Sequence, residues 1–253
     1  NEKFTNLPLL KKNTSFDPSV SDCVFLALPH SISNIYVKKF YDKIKIIDLS
    51  ADFRLESLEI YEKYYGDNHS CSEYLSEFIY GLVEINRSKI AKSNYIAVPG
   101  CYATSILLPL IPLFKKNMIN SNDIIIDSKS GYSGAGKNYD IENIKKASDY
   151  NFFNYNTNTH RHIPEIRQEL LKSLSVNNLN FSFNPHILPN FRGIMSTIYC
   201  NLENKTTKKN IIDNFKEFEK INPFIDFVND NTRLDLFSIQ NTNYCKIKLF
   251  DHY

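Results

Sequence analysis

Cys101 is the residue best suited to covalent chemistry, and it lies in the run Val98-Pro99-Gly100-Cys101-Tyr102. An apolar run typical of a buried strand, residues 95–98, ends just before it, and an apolar stretch long enough for a helix follows it. The free N–H groups at a helix start favour a thiolate. We therefore predict a nucleophile at a strand-to-helix turn. The other cysteines are interpreted as inert apolar residues: Cys23, Cys71, Cys200 and Cys245.

A thiol nucleophile needs a base, and histidine commonly serves as one. The run His160-Arg161-His162 supplies two histidines, and His186 could replace them. We favour His162, because it lies two residues before Pro164, where a helix is predicted to begin. A solvent-facing basic turn is the alternative interpretation of this run. Metal binding would need further ligands that the sequence does not supply, so no metal is predicted.

Residues 131–136 contain three of the seven glycines and follow a predicted strand, so the segment needs unusual backbone freedom. Such a loop can direct several main-chain N–H groups at one anion, although it can equally be a plain turn. An anionic substrate would require at least one guanidinium. The cations inside or beside the motifs are Arg54, Lys137, Arg161 and Arg192, for each of which a surface position without function is the alternative.

The elements that must position these residues alternate between strands and helices, which predicts an α/β fold. In the first half, strands are predicted at residues 23–28, 45–50 and 95–98, all buried and parallel, and helices at 31–42 and 102–114. In the second half, helices are predicted at 164–174 and 206–220, and strands at 123–130, 180–184, 194–202, 224–228 and 244–250.

Composition excludes several function classes. The 253 residues include 42% hydrophobic ones but no long uncharged apolar run, so no membrane span is predicted. Thirty basic and 28 acidic residues are interspersed, which argues against nucleic-acid binding. Five cysteines without close pairs indicate neither a structural zinc site nor a redox pair, and their odd number suits a reducing compartment. We expect a soluble protein with two lobes.

Seven motifs, in order and spacing, resemble those of the N-acetyl-gamma-glutamyl-phosphate reductases, which are related to aspartate-semialdehyde dehydrogenase. They occupy residues 25–30, 47–55, 80–84, 99–102, 130–136, 160–166 and 185–193. The resemblance implies a Rossmann-type nucleotide-binding domain over residues 1–122, which carries the catalytic cysteine. It also implies an α+β catalytic and oligomerisation domain with a mixed sheet over residues 123–253.

The resemblance implies reduction of an acyl phosphate by NADPH through a thioester on Cys101, with an acid/base histidine from residues 160–162. Arg54 is expected to face the substrate phosphate, with Arg161, Arg192 and Lys137 as further substrate-binding candidates. The residues expected beside NADPH are Leu28, Pro29, His30, Ser133, Gly134, Ala135 and Gly136. A cytoplasmic homodimer or homotetramer is expected, with an organellar location left open. The alternatives are a reductase of an aminoadipyl or aspartyl phosphate and an inactive, cofactor-free relative.

The sequence departs from the family pattern at several points. Ala103 stands where proline is usual, and Ser31 stands where glycine is usual after His30. No glycine precedes Gly66, so the glycine-rich turn of the first βα unit is missing, as is the family's closing segment after Tyr253. We therefore expect a fragment without the first βα unit that, expressed alone, binds NADPH poorly and is inactive.

Overall fold

A parallel sheet forms the first half of the chain in the computed structural model, which describes residues 12, 15–66, 68–135, 151–174 and 178–250. Its strands are β1 (Cys23–Leu26), β2 (Lys45–Asp48), β3 (Ile79–Tyr80) and β4 (Tyr95–Ala97), in the order β1-β2-β4-β3. All the pairings are parallel. The carboxyl ends of the strands therefore meet at one edge, where α/β proteins bind ligands.

Short helices connect these strands: α1 (Ser33–Phe40), α2 (Leu58–Tyr65) and α3 (Val83–Ile90). The Ser57 side chain caps α2 by accepting the Ile60 N–H, and Gly66 ends the helix with φ 73°. Val37 and Phe40 of α1 pack into a core that also contains Leu26 and Ile46. Two 3-10 turns, Pro18–Val20 and Ser72–Glu77, complete this half within the described residues.

Helix α4 (Cys101–Lys115) links the two halves of the molecule. It begins directly after β4, yet most of its side chains are buried in the core of the second half. Pro109 and Pro112 each lack a main-chain donor, but the helix continues through both, because its apolar side chains are packed on several sides. The first residue of α4 therefore lies at the edge of the parallel sheet, while the body of the helix packs elsewhere.

The second sheet is mixed, with the order β6-β7-β5-β8. Strands β5 (Ile124–Gly131) and β7 (Phe181–Leu188) are parallel, whereas β6 (Phe153–Asn154) and β8 (Ile194–Tyr199) pair antiparallel to them. Helices α5 (Ile163–Leu171) and α6 (Lys208–Ile221) pack with α4, and β9 (Ile225–Val228) pairs in parallel with β10 (Cys245–Lys248).

The α/β class, the parallel first sheet and the mixed second sheet are confirmed. The prediction that β1 is buried is wrong, because Phe25 is 66% exposed and β1 is at the edge of the sheet that the described residues form. Sequence patterns did not indicate α2, α3, β3 or β6. The domain division at residue 122 stays a prediction. In the part of the chain that the structure describes, no helix is both long and apolar enough to cross a membrane.

Candidate active site

Cys101 is the first residue of α4, and Gly100 is its extended N-cap with φ −66° and ψ 152°. The residue is partly open to solvent. Burial of the thiol among the surrounding atoms nevertheless raises its pKa, which the Tyr102 N–H and the Arg54 charge oppose and the Glu165 charge reinforces. The helix start thus acts in the predicted direction, but desolvation outweighs it, and the resting group is a thiol.

His162 immediately precedes α5 and lies against the turn that carries Cys101. A Cβ atom added to Gly100 would lie 2.5 Å from His162 Nε2 and 2.7 Å from Cε1. Glycine is therefore required at position 100 for close approach rather than for an unusual φ angle. Burial, then the Arg54 and Arg161 charges, lower the pKa of His162 to about 3. The imidazole is neutral at neutral pH.

His160 lies behind His162 in an aromatic environment. Its Nδ1 accepts the His162 main-chain N–H at 3.1 Å, which leaves the hydrogen on Nε2 when the ring is neutral. The rings of Tyr102, Phe183 and Tyr155 surround it at centroid distances of 5.4, 5.5 and 5.6 Å. Burial, then charge on His162 and Arg161, lower its pKa to about 3. His160 thus orients the backbone of His162.

Glu165 is a residue of this site that the sequence did not indicate. Its side chain is fully buried, and Oε1 accepts the Gly100 N–H and the Tyr80 O–H, both at 2.7 Å. Its Oε2 lies 3.7 Å from Nη1 of Arg54. The sequence signal was an acidic residue after Pro164, which indicates a helix start and nothing about the partners of the carboxylate.

Arg54 joins the ends of two neighbouring strands close to Cys101. Its Nε donates to the Val98 carbonyl at 2.7 Å and its Nη2 to the Leu49 carbonyl at 3.0 Å. These bonds and the Glu165 carboxylate fix the guanidinium at the carboxyl edge of the parallel sheet. The expected contact of Arg54 with a substrate phosphate stays a prediction.

Buried carboxylates hold the turn that carries Arg54. Asp52 is fully buried, and its oxygens accept the Ser31 N–H at 3.0 Å and the Tyr61 O–H at 2.8 Å. Asp48, whose pKa is raised by burial, accepts from the Ser33 and Ser50 hydroxyls. This network ties the segment after β1 to the segment after β2.

The predicted cofactor segment Leu28, Pro29 and His30 follows the carboxyl end of β1. The His30 ring lies 5.8 Å from the Tyr65 ring, over which the exposed Arg161 guanidinium lies at 5.5 Å. Burial raises the pKa of Tyr65 to about 12, and the charges of Glu165, Arg54 and Arg161 also act on it. Tyr65 therefore lies between His30 after β1 and Arg161 before α5.

The glycine loop begins as the 3-10 turn Tyr132–Ala135, which includes the predicted residues Ser133, Gly134 and Ala135. A Cβ on Gly131 would lie 2.6 Å from the Phe191 carbonyl oxygen. Gly131 and Gly134 do not have positive φ angles, so the prediction of unusual backbone freedom is wrong for them, and close approach explains Gly131. Gly136 and Lys137 lie outside the described residues.

Two further candidates lie on the second sheet. Arg192 is in the turn before β8, where its exposed guanidinium lies 5.0 Å from the Phe191 ring. His186 Nδ1 lies 3.2 Å from an Asp127 oxygen, and its ring stacks on Phe152. Among the residues with described positions, no group of three or more His, Cys, Asp or Glu side chains could hold a metal ion.

Two protein-family models match the chain. The model described as "Semialdehyde dehydrogenase, NAD binding domain" matches residues 1–93, and "Semialdehyde dehydrogenase, dimerisation domain" matches residues 101–253. The N-acetyl-gamma-glutamyl-phosphate reductase of Ehrlichia ruminantium (strain Gardel) is 42% identical over 238 residues, which are 94% of this chain and 68% of that protein. The chain belongs to the N-acetyl-gamma-glutamyl-phosphate reductase family.

Other family members are similarly close. The Caldicellulosiruptor bescii protein of the same name is 46% identical over 90% of this chain and 66% of its own length. A probable chloroplastic N-acetyl-gamma-glutamyl-phosphate reductase from Arabidopsis thaliana is 37% identical over 96% of this chain and 61% of its own length. This chain thus spans roughly two thirds of their length. Aspartate semialdehyde dehydrogenase II from Vibrio cholerae shares the fold, with a TM-score of 0.65, 14% identity, and coverage of 91% of this chain and 69% of that one.

Proposed function

We propose that this protein reduces N-acetyl-gamma-glutamyl phosphate to the corresponding semialdehyde with NADPH, through a thioester on Cys101. The observation that carries the proposal is the convergence of the His162 imidazole edge on Gly100, directly before an accessible cysteine at a helix start. The names of relatives that are 37–46% identical support the substrate class.

The residues present fit a dinucleotide at the carboxyl edge of the parallel sheet. Leu28, Pro29 and His30 follow β1 there, and Cys101 follows β4. Among the described residues, a Cβ added to Gly134 would have only the Ser130 hydroxyl within 4 Å, at 3.8 Å. NADPH, when bound, supplies the hydride that the thioester carbon accepts.

His162 acts as the base for Cys101 in this proposal. Because the resting pair is a thiol and a neutral imidazole, the thiol proton moves to the imidazole as sulfur attacks the acyl carbon. The C–S bond forms, the C–O bond to phosphate breaks, and phosphate leaves with its electron pair and takes up a proton from water. After reduction, the imidazole returns the proton as the C–S bond breaks and the semialdehyde is released.

The start of α4 supplies donors for the oxyanion of each tetrahedral step. The first N–H groups of a helix have no intrahelical acceptor, and here they belong to Cys101, Tyr102 and Ala103. The first bond along α4 runs from the Thr104 N–H to the Gly100 carbonyl at 2.8 Å. Loss of one such donor typically costs about 100-fold or more in kcat.

Positive potential beside His162 supports a phosphate subsite. Arg54 and Arg161 both lower the pKa of His162, so both lie within electrostatic reach of it. A dianionic phosphoryl group bound there would raise the pKa of the imidazole and make it a better proton acceptor. We assign Arg54 and Arg161 to this group and leave Arg192 and Lys137 as further substrate-binding candidates. The dimerisation-domain match supports a homo-oligomer, and a cytoplasmic location remains a prediction.

The test is NADPH oxidation with N-acetyl-gamma-glutamyl phosphate by the full-length wild-type protein and by its Cys101→Ser and control Cys200→Ser variants. We expect Cys101→Ser to lose more than about 100-fold in kcat, because a hydroxyl is a poor nucleophile without a strong base, and Cys200→Ser to keep it. An active Cys101→Ser protein would refute covalent catalysis. A higher kcat/KM with aminoadipyl or aspartyl phosphate would reassign the substrate.

A further inference from the structure

Glu165 is a buried carboxylate that the proposed reaction does not use. Its exposed fraction is 0%, and burying a carboxylate is costly unless charge partners and hydrogen bonds compensate. The compensation comes from three other parts of the chain: Tyr80 at the end of β3, Gly100 between β4 and α4, and Arg54 after β2. Glu165 thus joins α5 to Tyr80 of β3 and to the segments that follow β2 and β4.

The two oxygens of this carboxylate have different surroundings. Oε1 accepts both short hydrogen bonds, from Gly100 N–H and Tyr80 O–H. Oε2 is buried without a hydrogen-bond partner, faces Arg54 Nη1 at 3.7 Å, and would lie 2.9 Å from a Cβ at position 100. The carboxylate therefore fixes both the position and the orientation of the Gly100 peptide group.

Glu165 also shares a helix with the base. His162 is the N-cap residue of α5 and Glu165 is the third residue of that helix, so one element holds both the imidazole and the acceptor of the Gly100 N–H. A displacement of about 1 Å between reacting groups can cost on the order of 100-fold in rate. A bond that fixes the turn before the nucleophile relative to the base has the geometry to prevent such a displacement.

We propose that Glu165 is a positioning residue that holds the Gly100 turn against α5 and so aims Cys101 at the acyl carbon beside His162. The inference rests on the proposed function, because it assumes that Cys101 is the nucleophile. One consequence concerns charge. The Glu165 carboxylate raises the pKa of Cys101, so its neutralisation lowers that pKa.

The test compares Glu165→Gln with Glu169→Gln. Gln keeps the size of the side chain but removes the charge and can present an NH2 group to Arg54, which disturbs the turn. Glu169 is a matched control, since it is one turn further along α5, 5% exposed, and bonded to Lys172 and Gln168 rather than to the Cys101 turn. We expect kcat to fall about 100-fold for Glu165→Gln and to stay near wild type for Glu169→Gln.

A second readout separates positioning from general destabilisation. The rate of Cys101 alkylation by iodoacetamide is measured against pH by peptide mass spectrometry, with thermal unfolding as a check on folding. We expect Glu165→Gln to shift the profile to lower pH, and Glu169→Gln to leave it in place. Wild-type kcat and profile for Glu165→Gln, or equal losses in both variants, would overturn the proposal.

Tyr80→Phe keeps the test decisive if Glu165→Gln does not fold. This variant removes one of the two hydrogen bonds to Glu165 Oε1. A lowered kcat supports the positioning role of Glu165, whereas an unchanged kcat contradicts it. Cys101→Ser is assayed in parallel. If Cys101→Ser is inactive and Glu165→Gln has wild-type activity, only the positioning role of Glu165 is rejected. If Cys101→Ser is active, the proposed nucleophile is rejected.

Discussion

At the scale of single residues, the two histidines of the run 160–162 have different surroundings although the sequence presents them as equivalents. His162 Nε2 faces the Gly100 turn, whereas His160 Nδ1 accepts a main-chain N–H two residues later. Asparagine makes the same bond to residue i+2 in Asx turns. From this contact we propose that His160 supports the backbone of His162. The sequence preference for His162 has a separate basis, its distance from Pro164.

We predict that His160→Asn keeps kcat within about tenfold of wild type, because its amide oxygen can accept the His162 N–H. His160→Phe keeps an aromatic ring in the Tyr102–Phe183 environment but loses the acceptor, and we expect a loss of about 100-fold. His162→Asn, as the reference for loss of the base, should be the least active. Steady-state kinetics decide this, and an active Phe variant with an inactive Asn variant would show that ring packing matters instead.

At the scale of elements, sequence patterns found the long apolar segments and missed those that tertiary contacts create. The strand before Cys101 and helix α4 were predictable, because apolar runs of those lengths seldom form anything other than a buried strand or a buried helix. Strand β3 has two residues and exists through its pairing with β4, so local sequence cannot specify it. The bonds of Glu165 likewise join residues 65 and 85 positions apart, and no local pattern encodes them.

The turn after β1 contains a residue in strained backbone. Ser31 has φ 67°, a left-handed conformation that costs a non-glycine residue roughly 1–2 kcal/mol. The bonds from its N–H to the Asp52 carboxylate help to hold it there. This geometry gives a physical reason for glycine at this position in the family pattern.

We predict that Ser31→Gly stabilises the protein by about 0.5–1 kcal/mol, because glycine relieves the backbone strain. The larger conformational entropy of glycine in the unfolded chain offsets part of this gain. Ser31→Ala retains the strain and should show no gain. The free energy of unfolding is measured by denaturant titration for both variants. A Ser31→Gly protein no more stable than Ser31→Ala would show that the left-handed backbone is not the limiting cost.

At the scale of the whole molecule, the site lies where the two cores meet. Helix α4 begins at the parallel sheet and packs its body beside α5 and β8, so Cys101 and His162 are held by packing from both halves. The consequence is a buried polar region with neutral histidines inside it. Their protonation must oppose folding, because the charged form loses hydration in the folded state.

Acid is expected to destabilise the folded protein through His160 and His162. His160 and His162 have pKa values of about 3 in the folded protein against an ordinary value of 6.5. Between these values the unfolded chain binds more protons, so the free energy of unfolding falls as pH decreases from 6.5 towards 3. We expect denaturant titrations at pH 7.5, 6.0 and 4.5 to show a smaller loss for His160→Asn than for wild type, and a still smaller one for His160→Asn combined with His162→Asn. The readout is the difference between the proteins in how much the free energy of unfolding falls with pH, since other groups titrate in all of them. Equal pH dependence in the three proteins would mean that these imidazoles become protonated without unfolding, through water access to the region behind Gly100.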